Sequence, residues 1–352
     1  MTCRIEYVSA ERYPDVLDAL RAFTDECNAP PPAFDPAWPL ILRDGLRHVP
    51  GVLIAEEKGR IRGILPLARV ESFLFGRFLV SLPYLNTGGV LTVDPQDDAT
   101  ARALVDRATE LARTQNVRHL ELRHERRIEH PALTHERTDK VHMRLTLPDS
   151  TEALWNGFRA KVRNQVRKGE RMGLEVLWGR EDLLNDFYRV FAHNMRDLGT
   201  PVFSKRLFAA MLRHLGENAE ICVVRMGNKA VAGAILVHGR DTTEVPSASS
   251  LRRYNSTNAN MLMYYHLLRR AIERGRRTFD FGRSTVNSPT FRFKKQWGAV
   301  PHPAVWQYAP TQGTMTEVRP DNPKYQRAVR LWKRLPVWFT RIVGPAIVRG
   351  IP

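Results

Sequence analysis

The chain has 352 residues, a length that suggests two domains and a core large enough to form without disulfides. Hydrophobic residues make up 43% and charged residues 26%, and 54 Lys and Arg against 37 Asp and Glu leave a net charge of +17. Three dispersed cysteines, Cys3, Cys27 and Cys222, argue against a disulfide scaffold and a structural zinc site, and the basic excess points to an anionic partner: nucleic acid, a phosphorylated substrate or an acidic membrane surface.

The start, MTCRIEYVSAERYPDVL, has no apolar core of a secretory signal, and no run of about 18 apolar residues predicts a membrane span. A cytoplasmic protein is expected, with the inner face of the membrane as one place of action. Residues 52–55 and 61–69 read as strands around a turn at 56–59. SLPYLNTGGVL at 81–91 brings Tyr84, Asn86 and the pair Gly88-Gly89, which permit close backbone approach to a ligand. Residues 99–115 have helical spacing and lead into a strand at 117–123. The histidines that follow, His119, His124, His130, His135 and His142, lack metal-ligand spacing, so no metal is expected.

The same order then recurs. Strands at 221–225 and 230–237 flank a Gly-Asn turn, a helix spans 258–274, Gly275 stops it, and a strand follows at 278–281. Hairpin, long strand, helix and strand thus occur twice. This predicts two similar α/β units joined near residue 150: domains 1–149 and 150–318, with a tail at 319–352.

Three segments of the second unit carry candidate chemistry. From Leu154 a single helix is expected, with Arg159, Arg163, Arg167 and Arg171 every four residues and therefore on one face. Guanidinium groups so placed suit a polyanion, or form a solvated face partly neutralised by Glu170 and Glu175. In EVPSASSLRRYNSTNANM, Glu244 ends a strand. Ser249, Ser250, Arg252, Tyr254 and Asn255 follow in a polar loop, and Ser256, Thr257, Asn258 or Asn260 caps the next helix, an anion-binding end. In FDFGRSTVNSPTFRFKKQWGA, Asp280 alternates with Phe279 and Phe281 and so faces away from them. Arg283, Ser284, Arg292, Lys294, Lys295, Gln296 and Trp297 complete a polar, aromatic-rich candidate site.

The tail mixes Leu331, Trp332, Trp338, Phe339 and Ile342 with Lys324, Arg327, Arg330, Lys333, Arg334, Arg341 and Arg349. It suits an interfacial helix near anionic headgroups, broken by Pro336 and Pro345, or a basic tail packed on the domain.

KVRNQVRKGERMGLEV, FYRVFAHNMRDLGTPVFSK, EVPSASSLRRYNSTNANMLMYYHLL, FDFGRSTVNSPTFRFKKQWGA and LPVWFTRIVGPAIVRGIP resemble segments of the FemAB/FemX-like proteins, and among these the FemAB-related proteins of exosortase/PEP-CTERM systems. The resemblance is specific over about residues 150–310 and weaker over 1–150. It implies an α/β (α+β) fold of two tandem GNAT-like domains, each a mixed, mostly antiparallel sheet flanked by helices, plus the basic amphipathic tail. It also implies transfer of an acyl or aminoacyl group to an amine, as Fem relatives move an amino acid from aminoacyl-tRNA to a peptidoglycan precursor. Exosortase-associated relatives point to a cell-envelope or exopolysaccharide acceptor. The family's FK-x-x-aromatic-Gly lysine falls on Lys294.

GNAT enzymes cradle CoA with an [RQ]xxGx[GA] loop, where this chain has the glycine-free SLRRYNSTNAN. No bound cofactor is implied. The acyl donor, aminoacyl-tRNA or acyl-CoA, is a co-substrate. The expected roles are Lys294 at the oxyanion or leaving group, and Asp280 or Glu244 at the amine. Arg283 and Arg292 would take a phosphate, and Arg159, Arg163 and Arg167 a larger anion such as tRNA or a lipid-linked pyrophosphate. The alternatives are an acyl-CoA-dependent N-acetyltransferase and a non-catalytic protein that binds nucleic acid or a membrane surface.

Overall fold

The computed structural model describes residues 3–72, 75–311 and 323–351. The chain forms two compact units, one of residues 1–141 with 302–319 and 349–352, the other of 142–301 with 320–348. Each is a sheet flanked by helices.

In the first unit the strand order is Arg4–Val8, Val49–Glu57, Arg60–Ser72, Gly76–Val80, His119–His124, Val305–Pro310, His135–Arg137, with Leu91–Thr92 off the path beside Arg60–Ser72. The hairpin turns at Lys58 and Gly59, both at positive φ, the geometry of a tight two-residue loop. Helix Asp98–Thr114 is capped by Asp97, whose carboxylate accepts from the Thr100 N–H at 3.0 Å. Its apolar face, Leu104, Val105, Ala108 and Leu111, packs on Leu53, Leu65, Leu120 and Leu122 of the sheet.

The second sheet runs Val300–Pro303, Lys140–Thr146, Thr278–Thr285, Thr242–Ser250, Lys229–His238, Ala219–Met226, Leu174–Gly179. Its hairpin turns at Gly227-Asn228. Helix Ala259–Glu273 stands between the strands Thr242–Ser250 and Thr278–Thr285, as Asp98–Thr114 stands between Gly76–Val80 and His119–His124. In both sheets the two strands flanking that helix are parallel. The duplicated order of elements is therefore real.

Helix Leu184–Leu198 covers the second hairpin through Phe187, which is fully buried, stacks on Phe191 at 5.7 Å and meets Phe208 edge-on at 5.0 Å. Gly233 lies under it, the position of a Cβ there being 3.4 Å from the Phe187 ring. Phe187→Ala should cost about 3–5 kcal/mol, read as a lower urea midpoint with an unchanged slope.

Three features differ from the sequence expectations. Strand Val305–Pro310 pairs with His119–His124 in the first sheet rather than staying with the 150–318 segment. Buried Gln307 anchors it there: its Oε1 accepts from the Ile128 N–H and its Nε2 donates to the Ile128 carbonyl, both at 2.9 Å. The helix expected from Leu154 is two helices, Thr151–Gly157 and Ala160–Arg171, because Phe158 and Arg159 are extended. The tail forms helices Pro323–Trp332 and Val337–Val348 in the second unit; Pro336 separates them, but Pro345 lies inside the second.

Candidate active site

The parallel ladder of the second sheet is short. It pairs Thr242 with Thr278, Thr243 with Phe279 and Glu244 with Asp280, and ends there. Beyond it Ser247–Ser250 remain bonded only to the hairpin side, at Ile235 to Ala232. Two buried carboxylates, Glu244 and Asp280, thus face each other where the strands part.

Phe279 and Phe281 share one side of their strand, 4.8 Å apart, and Phe281 stacks on Tyr264 of helix Ala259–Glu273. Strand alternation puts Asp280 on the other side. One of its oxygens accepts from the Gly282 N–H at 2.7 Å, the other from Arg144 Nε at 2.9 Å, with His142 Nδ1 at 4.0 Å. Gly282 is at φ 75°, which bends the strand and turns its carbonyl.

Helix Pro289–Gln296 brings in the lysine. Ser288 caps it, accepting from the Phe291 N–H at 3.1 Å, and Pro289 opens its first turn. Phe291 and Lys294, three residues apart, are its buried side. Lys294 is 8% exposed, and its Nζ donates to the carbonyls of Gly282 and Arg283, both at 3.0 Å. Burial drives its pKa down to about 8, Asp280 and Glu244 pull it back up, and Arg283 pushes it down. At neutral pH the group is a cation with two N–H donors spent on the main chain and a third for a ligand. Lys294, Asp280 and Glu244 therefore form one cluster, with Arg283 and the buried Ser284 on its strand.

The other predicted residues are placed as follows. Arg292 and Lys295 are exposed on their helix, Arg292 donating to the Asn287 carbonyl at 2.8 Å. Gln296 meets the Met261 sulfur at 3.6 Å, and Trp297 is buried edge-on to Phe158 at 5.3 Å, a packing role. The Ser249 hydroxyl accepts from Asn194 at 3.1 Å, while Ser250 is half-buried. Arg252–Thr257 is a 3₁₀ turn with Arg252 and Asn255 exposed and Arg253 over the Tyr254 ring. Asn258 occupies the N-cap of helix Ala259–Glu273 at φ 59° without a side-chain cap bond; the Thr257 hydroxyl accepts from the Ala259 N–H at 3.3 Å, and Asn260 is half-buried.

Helix Ala160–Arg171 packs through Val162, Val166 and Gly169; a Cβ on Gly169 would lie 3.0 Å from Leu262. Its arginines point elsewhere. Arg159 is the exposed N-cap, Arg163 donates to the Asn156 carbonyl at 3.3 Å, and Arg167 lies over Trp155 at 5.3 Å. Among the described residues none of the four arginines is in a direct ion pair with Glu170 or Glu175.

Tyr84 and Asn86 belong to the first unit. The Tyr84 hydroxyl donates to the Arg349 carbonyl at 2.7 Å and meets His48 Nε2 at 2.9 Å, and the Asn86 carbonyl accepts from Trp306 Nε1 at 3.2 Å. That unit's parallel pair ends at Val80 and Glu121. Glu121 is closed by Arg123 at 2.8 Å, and Arg123 also donates to the Leu85 carbonyl and lies over Trp306 at 4.0 Å.

Arg144 and His142 were not among the expected site residues; they lie on the neighbouring strand, 136 and 138 positions from Asp280 in sequence. A second buried relay, Thr243–His238–Glu220, has bonds of 2.8 and 2.9 Å. Thr243 is fully buried and Arg270 occupies Glu220 at 2.7 Å, so this relay has no nucleophile to offer and serves the core.

Residues 156–295 match the family model for the acetyltransferase (GNAT) domain. That segment is similar to a GNAT domain, over about two fifths of the chain. It contains Glu244, Asp280 and Lys294. Among solved structures, FemX superposes with a TM-score of 0.61 at 15% identity, over 83% of this chain and 93% of that one. The C-terminal domain of an Agrobacterium fabrum protein described as a lysylphosphatidylglycerol synthetase gives 0.55 at 13%, over 84% and 92%. A tandem GNAT protein from the clavulanic acid pathway gives 0.51 at 15%, over 89% and 100%. At these identities the likeness is one of fold, and it makes the chain a tandem GNAT architecture. No curated protein matches the chain.

Proposed function

We propose that the chain is a FemAB-like transferase that moves an aminoacyl or acyl group from an activated ester to an amine. The observation that carries this reading is the Lys294 ammonium, held by two carbonyls beside Asp280 and Glu244 where the GNAT domain's parallel strands part. The amine attacks the ester carbonyl, the oxyanion forms against the third N–H of Lys294, and the alcohol leaves as the tetrahedral intermediate collapses. Glu244 takes the amine proton and passes it to the leaving alkoxide oxygen, which departs as the alcohol; Asp280, tied to Arg144 and Gly282, balances and orients the lysine. Arg283 receives a phosphate of the donor, and Arg159, Arg163 and Arg167 hold a longer anion.

The glycine-free turn before helix Ala259–Glu273 favours an aminoacyl ester on tRNA over acyl-CoA as donor. The likeness of the sequence segments to exosortase-associated FemAB proteins is what suggests an acceptor related to the cell envelope or exopolysaccharide.

The sign of the pH dependence tests the lysine's role. A cationic Lys294 with a pKa of about 8 makes kcat/KM fall as pH rises through about 8. A profile that only rises there would make Lys294 a base and overturn this assignment.

A further inference from the structure

The C-terminal helices carry a surface that the proposed chemistry leaves unused. Helix Val337–Val348 is seated through Thr340, Gly344 and Val348, every fourth residue. A Cβ on Gly344 would stand 2.9 Å from the Val202 backbone nitrogen, so the glycine lets the helix lie close against that backbone. Trp338 and Ile342 consequently face outward, 65% and 70% exposed, with Phe339 beside them and Leu331 of the preceding helix 63% exposed. The other exposed large apolar side chains are scattered, whereas these four fall within twelve residues.

The charge around them has one sign. Residues 323–352 contain no Asp or Glu. Arg327, Arg330, Lys333, Arg334 and Arg341 are all exposed. A groove of about 390 Å³ beside the outward face is lined by Trp338 and Ile342 together with Arg341, Lys205 and Arg206. No helix among the described residues is long and apolar enough to cross a membrane, so this surface is suited to lying on one.

We propose that this face docks on an anionic lipid bilayer. Trp338 and Ile342 enter the boundary between headgroups and acyl chains, and the surrounding cations pair with lipid phosphates. A bilayer fits better than a protein partner because the exposed side chains are bulky and outward-pointing, and the segment that carries them supplies cations and no carboxylate.

The test is co-sedimentation of the full chain with phosphatidylcholine vesicles, with and without about 30% phosphatidylglycerol, at about 0.15 M salt. Binding should require the anionic lipid. The double substitution Trp338→Glu with Ile342→Glu should weaken it about tenfold or more while the circular dichroism spectrum is unchanged. The milder pair Trp338→Ala with Ile342→Ala serves if the glutamates disturb folding. Equal binding of parent and variant, or equal binding to neutral and anionic vesicles, overturns the proposal. So does a lipid-independent dimer that the same variant abolishes. Lys294→Met should bind vesicles like the parent, which separates failure here from failure of the catalytic reading.

Discussion

Replacing Lys294 with methionine should lower kcat by about 10²–10³-fold and leave the protein folded. Methionine keeps the length and apolar stem of the lysine but offers no proton to an oxyanion. The carbonyls of Gly282 and Arg283 lose a donor, which costs stability, and a desolvated charge disappears, which restores some. The linkage has a definite sign. The folded-state pKa of about 8 lies below the ordinary 10.5, so between those values the unfolded chain holds this proton more tightly. The lysine protein should therefore gain stability relative to the methionine variant as pH rises from 8 to 10.5, visible as a midpoint difference that moves steadily in favour of the lysine protein. A variant with parental kcat removes Lys294 from the chemistry. A midpoint difference that does not move with pH shows that the ammonium is not desolvated.

Asp280 is the second position with a large expected effect. Asp280→Ala strips the buried partner from Arg144 and the acceptor from the Gly282 N–H, and should destabilise the protein by about 3 kcal/mol. Asp280→Asn is the sharper probe, because the amide oxygen still accepts from Gly282 while the charge is gone. Asp280 raises the Lys294 pKa, so its neutralisation lets that pKa fall further. The falling limb of the kcat/KM profile should then shift to lower pH. An unshifted limb would mean that the two groups do not sense each other, and that the limb belongs to another residue.

Much of this architecture is legible in the sequence because the signals are local. The Gly-Asn turn at 227–228, the helical spacing of 99–115 and the Gly275 stop depend on neighbours along the chain, and the structure reproduces them within one or two residues. The alternation Phe279-Asp280-Phe281 likewise assigned the carboxylate to its face. Ser288-Pro289 is a local helix-start signal too, cap and N1 proline side by side, and it sets the helix that carries Lys294. Long-range pairings were not legible. Arg144 reaches Asp280 from a separate strand, and strand Val305–Pro310 crosses to a sheet whose neighbours lie nearly two hundred residues earlier. Nothing in such short, ordinary segments announces its partner. The arginine stripe was legible as a composition, but the break at Phe158 that makes Arg159 a cap rather than a stripe member needed the backbone.

The most direct test of an aminoacyl-transferring site is a binding titration at about 0.15 M salt, where surface charge is already screened. It compares aminoacyl-tRNA, the same tRNA uncharged, and acetyl-CoA. The charged tRNA should bind more tightly than the uncharged one, with the difference lost in Lys294→Met. Equal affinity for both tRNAs, or binding of acetyl-CoA alone, would contradict it.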